Sequence, residues 1–100
     1  MRSRYTAYCL LEIKYIAKTM MGRAKENFNP KDVKVWTKKV KWRKLEVLRV
    51  FNNQNVGYVE FKAYYVENGE EKILHEISEF KWHNHRWFYV DELQNWPEQL

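Results

Sequence analysis

The sequence predicts an α+β fold in which two N-terminal helices pack against a four-stranded antiparallel meander. Apolar residues recur at three- and four-residue spacings up to Val40, and at every second position from Trp42 onward. Turn-forming clusters then interrupt the alternating region at 52–55, at Asn68-Gly69 and at 83–85. The 100 residues are 45% apolar and contain few glycines and prolines, which indicates one domain with a hydrophobic core.

The first predicted helix covers Ser3 to Met21. Ser3 is its expected N-cap and Gly22 its expected stop. Cys9 falls on the apolar stripe, which predicts a buried and unreactive thiol. The stripe consists of Tyr5, Cys9, Ile13, Ile16 and Met20.

The second predicted helix follows a polar connection at 23–29 and begins at Asn29-Pro30. Asn29 is the expected N-cap, and Pro30 suits the first turn because its missing N–H would have no partner there. The inner stripe of this helix is Val33, Trp36, Thr37 and Val40.

Four strands are predicted by alternation of apolar and polar side chains. They are expected at Trp42–Phe51, Val56–Glu67, Glu71–Trp82 and Arg86–Asp91. In the first strand, Leu45, Val47 and Phe51 should share one face, opposite Leu48 and Val50. In the third, Ile73, His75 and Ile77 should lie opposite Leu74, Ser78, Phe80 and Trp82. We expect residues 1–92 to form the domain and 93–100 a polar tail.

Charge is distributed unevenly along the chain. Residues 1–50 carry 14 Lys and Arg against 4 Asp and Glu, whereas residues 51–100 carry 4 against 9. A basic face of this kind suits nucleic acid, anionic lipid or an acidic protein, or it is a solvated face balanced by the acidic strands. Nucleic-acid candidates within the Lys31–Arg49 stretch are Lys34, Lys38, Lys39, Lys41, Arg43 and Lys44.

Several strings resemble the middle domain of the YchJ-like bacterial proteins. They cover about nine-tenths of the chain. They are Met1-Arg2-Ser3-Arg4-Tyr5-Thr6-Ala7-Tyr8, Trp42 with Leu45-Glu46-Val47-Leu48, Gly57-Tyr58-Val59-Glu60-Phe61-Lys62-Ala63, Leu74-His75-Glu76 with Ser78 and Phe80, and Arg86-Trp87-Phe88-Tyr89-Val90-Asp91. The resemblance implies a fold of the nuclear-transport-factor-2-like (cystatin-like) superfamily, a bent sheet wrapped by helices into a cone that often holds a pocket. It implies no particular activity.

The sequence departs from the family pattern in three places. Family members usually carry cysteine-rich SEC-C zinc motifs beside this domain, but these 100 residues contain one cysteine, so zinc binding does not transfer. Met20-Met21-Gly22 replaces a His-Pro pair, and Ile77 and Glu79 replace arginines. We therefore expect a stand-alone or shortened member, in which any family site built on those basic groups is either absent or used differently.

Candidate site residues follow from the predicted faces and from the resemblance. Pocket-lining candidates are Tyr5, Phe61, Tyr65, His75, Trp87 and Tyr89, and ion-pair candidates are Arg2, Arg4, Glu76 and Arg86. His75 is also the candidate general acid or base, although a hydrogen-bonded structural histidine fits its position as well. His83-x-His85 lacks a third ligand, so no metal site is predicted.

These observations predict a non-enzymatic ligand-binding or protein-interaction module, with a homodimer among the expected partnerships. The alternatives are a small-molecule hydrolase, isomerase or cyclase using His75, and nucleic-acid binding through the basic face. No cofactor and no membrane partner are expected. The single cysteine and the lack of a long apolar stretch predict a cytoplasmic location.

Overall fold

The computed structural model describes residues 2–10 and 12–97, with only the backbone of Arg2. It confirms the α+β fold and the antiparallel meander, whose strand order is β1-β2-β3-β4. The helices are α1 (Arg2–Cys9), α2 (Ile13–Lys18), α3 (Gly22–Glu26) and α4 (Pro30–Lys39). The strands are β1 (Val40–Asn52), β2 (Val56–Glu67), β3 (Glu70–His83) and β4 (Arg86–Leu93).

The single helix expected over Ser3–Met21 is wrong, because the chain turns between α1 and α2. Ser3 lies inside α1 rather than at an N-cap, and Glu12 leaves helical geometry with ψ of 74°. A straight helix of that length would extend about 28 Å, more than the width of a four-stranded sheet. The turn instead folds α2 back on α1, which buries Ala7 against Ile16.

Gly22 begins the helix α3, although the sequence predicted only a polar connection over 23–29. Its φ of +66° lies in the left-handed region that glycine tolerates best. The residues before it reach the sheet edge, where the Met21 N–H donates to the Tyr89 carbonyl at 3.0 Å and the Tyr89 N–H to the Thr19 carbonyl at 2.7 Å. Two main-chain hydrogen bonds therefore attach the helical layer to β4.

The start of α4 matches the prediction. The Asn29 side chain accepts hydrogen bonds from the main-chain N–H groups of Lys31 and Asp32, at 3.0 and 3.3 Å. Pro30 occupies the first turn. This N-cap directs Trp36 and Thr37 toward the rest of the domain, since Thr37 is buried and Trp36 packs on Trp42.

Irregularities in β1 change which residues lie on the inner face of the sheet. The pairing with β2 shifts between Trp42 and Lys44 and again between Val47 and Arg49. Each extra residue reverses the alternation that follows, so Val50, opposite Val59, joins the inner face. The prediction that placed Phe51 there is wrong, because Phe51 stacks on Tyr58 on the outer face.

The core lies between the helices and the inner face of the sheet. Its buried apolar residues are Ala7, Ile16, Met20, Val40, Phe61, Ala63, Phe80 and Val90. Cys9 is exposed rather than buried, because α1 ends there and its last turn leaves the core. Among the described residues, no helix is both long and apolar enough to cross a membrane.

Candidate functional site

A cavity of about 140 Å³ lies between α1, α4 and the inner face of the sheet. Most of its wall is aromatic, and the polar side chains gather on one side. The aromatic wall is Tyr5, Tyr8, Trp36, Trp42, Phe61, Phe80 and Tyr89. The remaining lining residues are Arg4, Ala63, Leu74, Glu76 and Ser78.

Trp42 is the centre of the aromatic wall. Its ring lies 5.8 Å from that of Tyr5, 5.4 Å from that of Trp36 and 5.4 Å from that of Tyr65. These rings meet edge to face or at a tilt, the arrangements that aromatic side chains prefer. The indole Nε1–H of Trp42 is buried and donates to no acceptor among the described residues. A buried donor without a partner is unusual, and here it belongs to a side chain that lines the cavity.

Arg4 joins the cavity to the helical layer. The residue is only 5% exposed, and its Nη1 donates to the Ile16 carbonyl at 3.1 Å, to the Thr19 carbonyl at 3.3 Å and to the Thr19 hydroxyl. The guanidinium carbon lies 4.9 Å from the centre of the Tyr89 ring. Burial lowers the pKa of Arg4. Arg4 therefore caps the end of α2 and places a positive charge in the cavity wall.

Glu76 is the carboxylate of the cavity. It accepts hydrogen bonds from the Ser78 hydroxyl and, at 3.3 Å, from the Tyr89 hydroxyl. Burial raises the pKa of Glu76, and it also raises the pKa of Tyr89, where the nearby Glu76 carboxylate adds to the effect. The Tyr89 ring thus lies between the two opposite charges, facing Arg4 and bonded to Glu76.

The structure divides the predicted pocket residues among four places. Tyr5, Phe61 and Tyr89 line the cavity, and Tyr65 packs behind Trp42. Trp87 instead lines a separate hollow of about 160 Å³ near the β1–β2 turn. His75 lies on the opposite face of the sheet, so the prediction that it reaches the cavity is wrong. Its alternation with Glu76 decides this, because neighbouring side chains of a strand point to opposite faces.

His75 belongs to a network on the outer face. Its Nε2 lies 2.7 Å from Glu60 Oε2, and Glu60 Oε1 accepts from Arg49 Nε at 2.9 Å. The Arg49 guanidinium lies 4.5 Å from the centre of the Trp96 ring, and Trp96 also contacts Tyr58. The hydrogen bond from His75 lowers the pKa of Glu60. The segment after β4 is therefore not only a polar tail, since Trp96 covers part of the sheet.

The ion-pair candidates do not pair as expected. Glu76 bonds to hydroxyls, and Arg4 to carbonyls and a hydroxyl, with no ion pair between them. Arg86 is exposed at the start of β4 and forms no ion pair within the described residues. The side chain of Arg2 lies outside the described part.

The nucleic-acid candidates are exposed on two elements. Lys34, Lys38 and Lys39 lie on α4, and Lys41, Arg43 and Lys44 on β1. None forms an ion pair with a carboxylate of residues 2–10 or 12–97. In the same ranges, no three His, Cys, Asp or Glu side chains are grouped to hold a metal ion.

Sequence reasoning missed several cavity residues. Trp36 was assigned to the inner stripe of its helix, and Trp42 only to the start of a strand. A pairing of Trp42 with Tyr65 across β1 and β2 would have placed its ring on the same face as Phe61. Tyr8 widens the apolar face of the first predicted helix, but no sequence pattern separates a cavity wall from an ordinary core. Ser78 lies on the face of its strand opposite His75, whereas the sequence prediction directed the His75 face toward the pocket.

Comparison with known proteins identifies the family. The family model described as "YchJ, middle NTF2-like domain" matches residues 1–92. The chain belongs to this family. Among curated relatives, a UPF0225 protein of Geobacter sulfurreducens is 35% identical over 91% of this chain and 58% of its own length. A UPF0225 protein of Vibrio parahaemolyticus is 34% identical over 91% of this chain and 55% of its own length. The chain thus spans little more than half of these relatives.

Two solved structures resemble this YchJ-family chain. The solution structure of a SEC-C motif containing protein from Rhodopseudomonas palustris has a TM-score of 0.85 and 31% identity, covering 93% of this chain and 73% of that one. The crystal structure of a SEC-C motif containing protein from Psychrobacter arcticus has a TM-score of 0.76 and 29% identity, covering 91% and 56%. Both support the α+β fold described above.

Proposed function

We propose that this domain is a non-enzymatic ligand-binding module whose inner cavity holds a small, flat molecule with a hydrogen-bond acceptor. The observation that carries the proposal is the buried indole N–H of Trp42, which has no acceptor within residues 2–10 and 12–97 and belongs to the wall of an aromatic cavity. An acceptor on a bound molecule would satisfy that donor, and leaving such a donor unsatisfied costs about 1–3 kcal/mol.

The size of the cavity limits the ligand to about one ring. An engineered apolar cavity of about 150 Å³ in another protein binds benzene, and this one measures about 140 Å³. Pockets for drug-sized molecules are larger, roughly 300–1,000 Å³. The edge-to-face rings around Trp42 offer flat surfaces and polarised edges, which suit an aromatic or other planar molecule.

The alternative readings receive less support from the same geometry. An enzyme that uses His75 in the pocket does not follow, because His75 lies on the outer face. A pure interaction module would not need an open inner cavity. The cavity combines apolar walls with a few converging polar groups, which is the usual form of a small-molecule site.

The test compares pyridine with benzene at about pH 8, where pyridine is neutral. The two molecules have nearly the same shape, but only pyridine carries an acceptor. We expect pyridine to bind about tenfold tighter, since it satisfies the Trp42 donor. The readout is the indole Nε1–H resonance of Trp42, assigned by its loss in Trp42→Phe. Both probes should shift it through their ring currents, and pyridine should in addition move it downfield by accepting its hydrogen bond.

Two variants complete the test. Ala63 is buried in the cavity wall, and Ala63→Met should fill the space and abolish binding of both probes. Val35→Met adds the same side chain at an exposed position of α4 and should leave binding unchanged. Equal affinity for both probes would contradict the role of the Trp42 donor, and undiminished binding to a folded Ala63→Met variant would contradict the site itself.

A further inference from the structure

An open groove between α2 and the beginning of α4 is lined by several positively charged side chains. It has a volume of about 670 Å³ and lies apart from the aromatic cavity. Its polar and aromatic lining is Glu12, Lys14, Tyr15, Lys31 and Lys34. Because Lys38 follows Lys34 by one helical turn, it extends the same stripe beyond the groove.

The lysines of this groove are not neutralised by ion pairs with other described residues. Lys14, Lys31 and Lys34 are exposed, and none lies within ion-pair distance of a carboxylate in the described residues. Among the described residues that line the groove, Glu12 is the only acidic one. The groove therefore has an excess of positive charge that an anionic partner would neutralise.

Tyr15 adds a fixed aromatic surface to the charge. Its hydroxyl donates to the Ser3 hydroxyl at 2.9 Å, which limits the orientation of the ring. The residue is still 38% exposed. A tyrosine held in this way beside lysines matches the two components of a site for single strands, a surface on which a base stacks and cations that contact the phosphates.

We propose that this groove binds a short single-stranded nucleic acid, with a base stacked on Tyr15 and phosphates on Lys14, Lys31 and Lys34. Lysine is depleted in protein–protein interfaces, where arginine and large aromatic anchors dominate, so the composition favours a phosphate backbone over an acidic protein. The contacts are to backbone and ring, and no sequence preference is expected.

The first test is fluorescence anisotropy with a labelled oligo-dT of about twelve nucleotides. Three phosphate contacts predict a weakening of about 20-fold between about 50 and 200 mM salt. Lys31→Glu with Lys34→Glu should weaken binding by about tenfold or more. Lys25→Glu with Lys81→Glu changes the net charge equally at exposed positions outside the groove and should have a much smaller effect.

Tyr15 and two competitors separate nucleic acid from other anions. Tyr15→Ala should weaken oligo-dT binding about tenfold, whereas Tyr15→Phe keeps the ring and should bind nearly as well. Polyglutamate and phosphatidylserine vesicles should compete poorly. Equal losses in the two charge-reversal pairs, full binding by Tyr15→Ala, or competition by either anion as strong as by unlabelled oligo-dT would each overturn the proposal. Pyridine binding in the cavity is a separate measurement, so the two proposals fail independently.

Discussion

Replacing Arg4 tests whether one side chain both caps α2 and holds the helical layer on the sheet. Arg4→Met keeps a side chain of similar length but removes every donor. The lost interactions are the hydrogen bonds from Nη1 to the Ile16 carbonyl and to Thr19, and the contact of the guanidinium with the Tyr89 ring.

The size of the destabilisation depends on whether the carbonyls that accept from Arg4 keep another hydrogen-bond donor. The Thr19 carbonyl still accepts from the Tyr89 N–H, and the Ile16 carbonyl from the Thr19 hydroxyl, so neither is left without a donor. Hydrogen bonds from a charged donor contribute about 1.5–3 kcal/mol, and the contact with the ring about 1 kcal/mol. Removing a buried charge offsets part of this. We expect a net loss of about 2 kcal/mol in the free energy of unfolding.

Urea unfolding measures the loss directly, and thermal unfolding should show a Tm lower by about 10 °C. Arg4→Lys should recover part of the stability, because an ammonium group reaches fewer of the acceptors than the guanidinium. Arg23→Met, at an exposed position of α3, is the control and should change stability by less than about 0.5 kcal/mol. A loss below about 0.5 kcal/mol for Arg4→Met would refute the capping role, and a gain would show that burial of the charge dominates.

Three further predictions concern single residues. The raised pKa of Glu76 means that its neutral form favours the folded state, so its contribution to the free energy of unfolding is complete below the ordinary pKa of 4.5 and is lost as pH rises through the raised value. Glu76→Gln should therefore make the protein more stable at neutral pH and its stability less dependent on pH. Thermal melts across the acidic to neutral range would reveal both effects. Gly22→Ala should lower the free energy of unfolding in urea by about 1–2 kcal/mol, because the φ of Gly22 is +66°. Gly22→Asn should lower it less, and equal losses in the two variants would contradict the reasoning. His75→Gln should leave pyridine binding unchanged, and a tenfold loss would show that the two faces of the sheet are coupled.

The strands and α4 were predictable because their signals are local. Alternation of apolar residues and the turns at 52–55, 68–69 and 83–85 placed the strands within one to two residues of their observed ends, and Asn29-Pro30 placed the start of α4. The turn between α1 and α2 was not predictable in this way, because it contains neither glycine nor proline. It forms because folding α2 back buries Ile16 completely, which is a tertiary effect.

The candidate site was only partly predictable for a related reason. The parity of residues along a strand gives their face, so Phe61, Tyr89 and Glu76 could be placed, and the same rule separates His75 from Glu76. Parity fails where the register shifts, as it does before Val50. Whether inward aromatic residues enclose a cavity depends on how their rings pack against one another. Here the edge-to-face contacts of Trp42 determine that packing, and the spacing of residues along the sequence does not predict it.

The attachment of Thr19–Met21 to β4 and the irregularities of β1 have a consequence for association between copies. An exposed edge strand invites pairing with another chain, which is a route to aggregation. Near Tyr89, the main-chain groups of β4 are already paired with the helical layer. At the other edge, β1 is bent by two register shifts and carries Lys41, Arg43, Lys44 and Arg49, all of which oppose the docking of a further strand. Both edges of the sheet therefore carry features that oppose its extension by a further strand: the hydrogen bonds at Tyr89 on β4, and the bends and positive charges on β1.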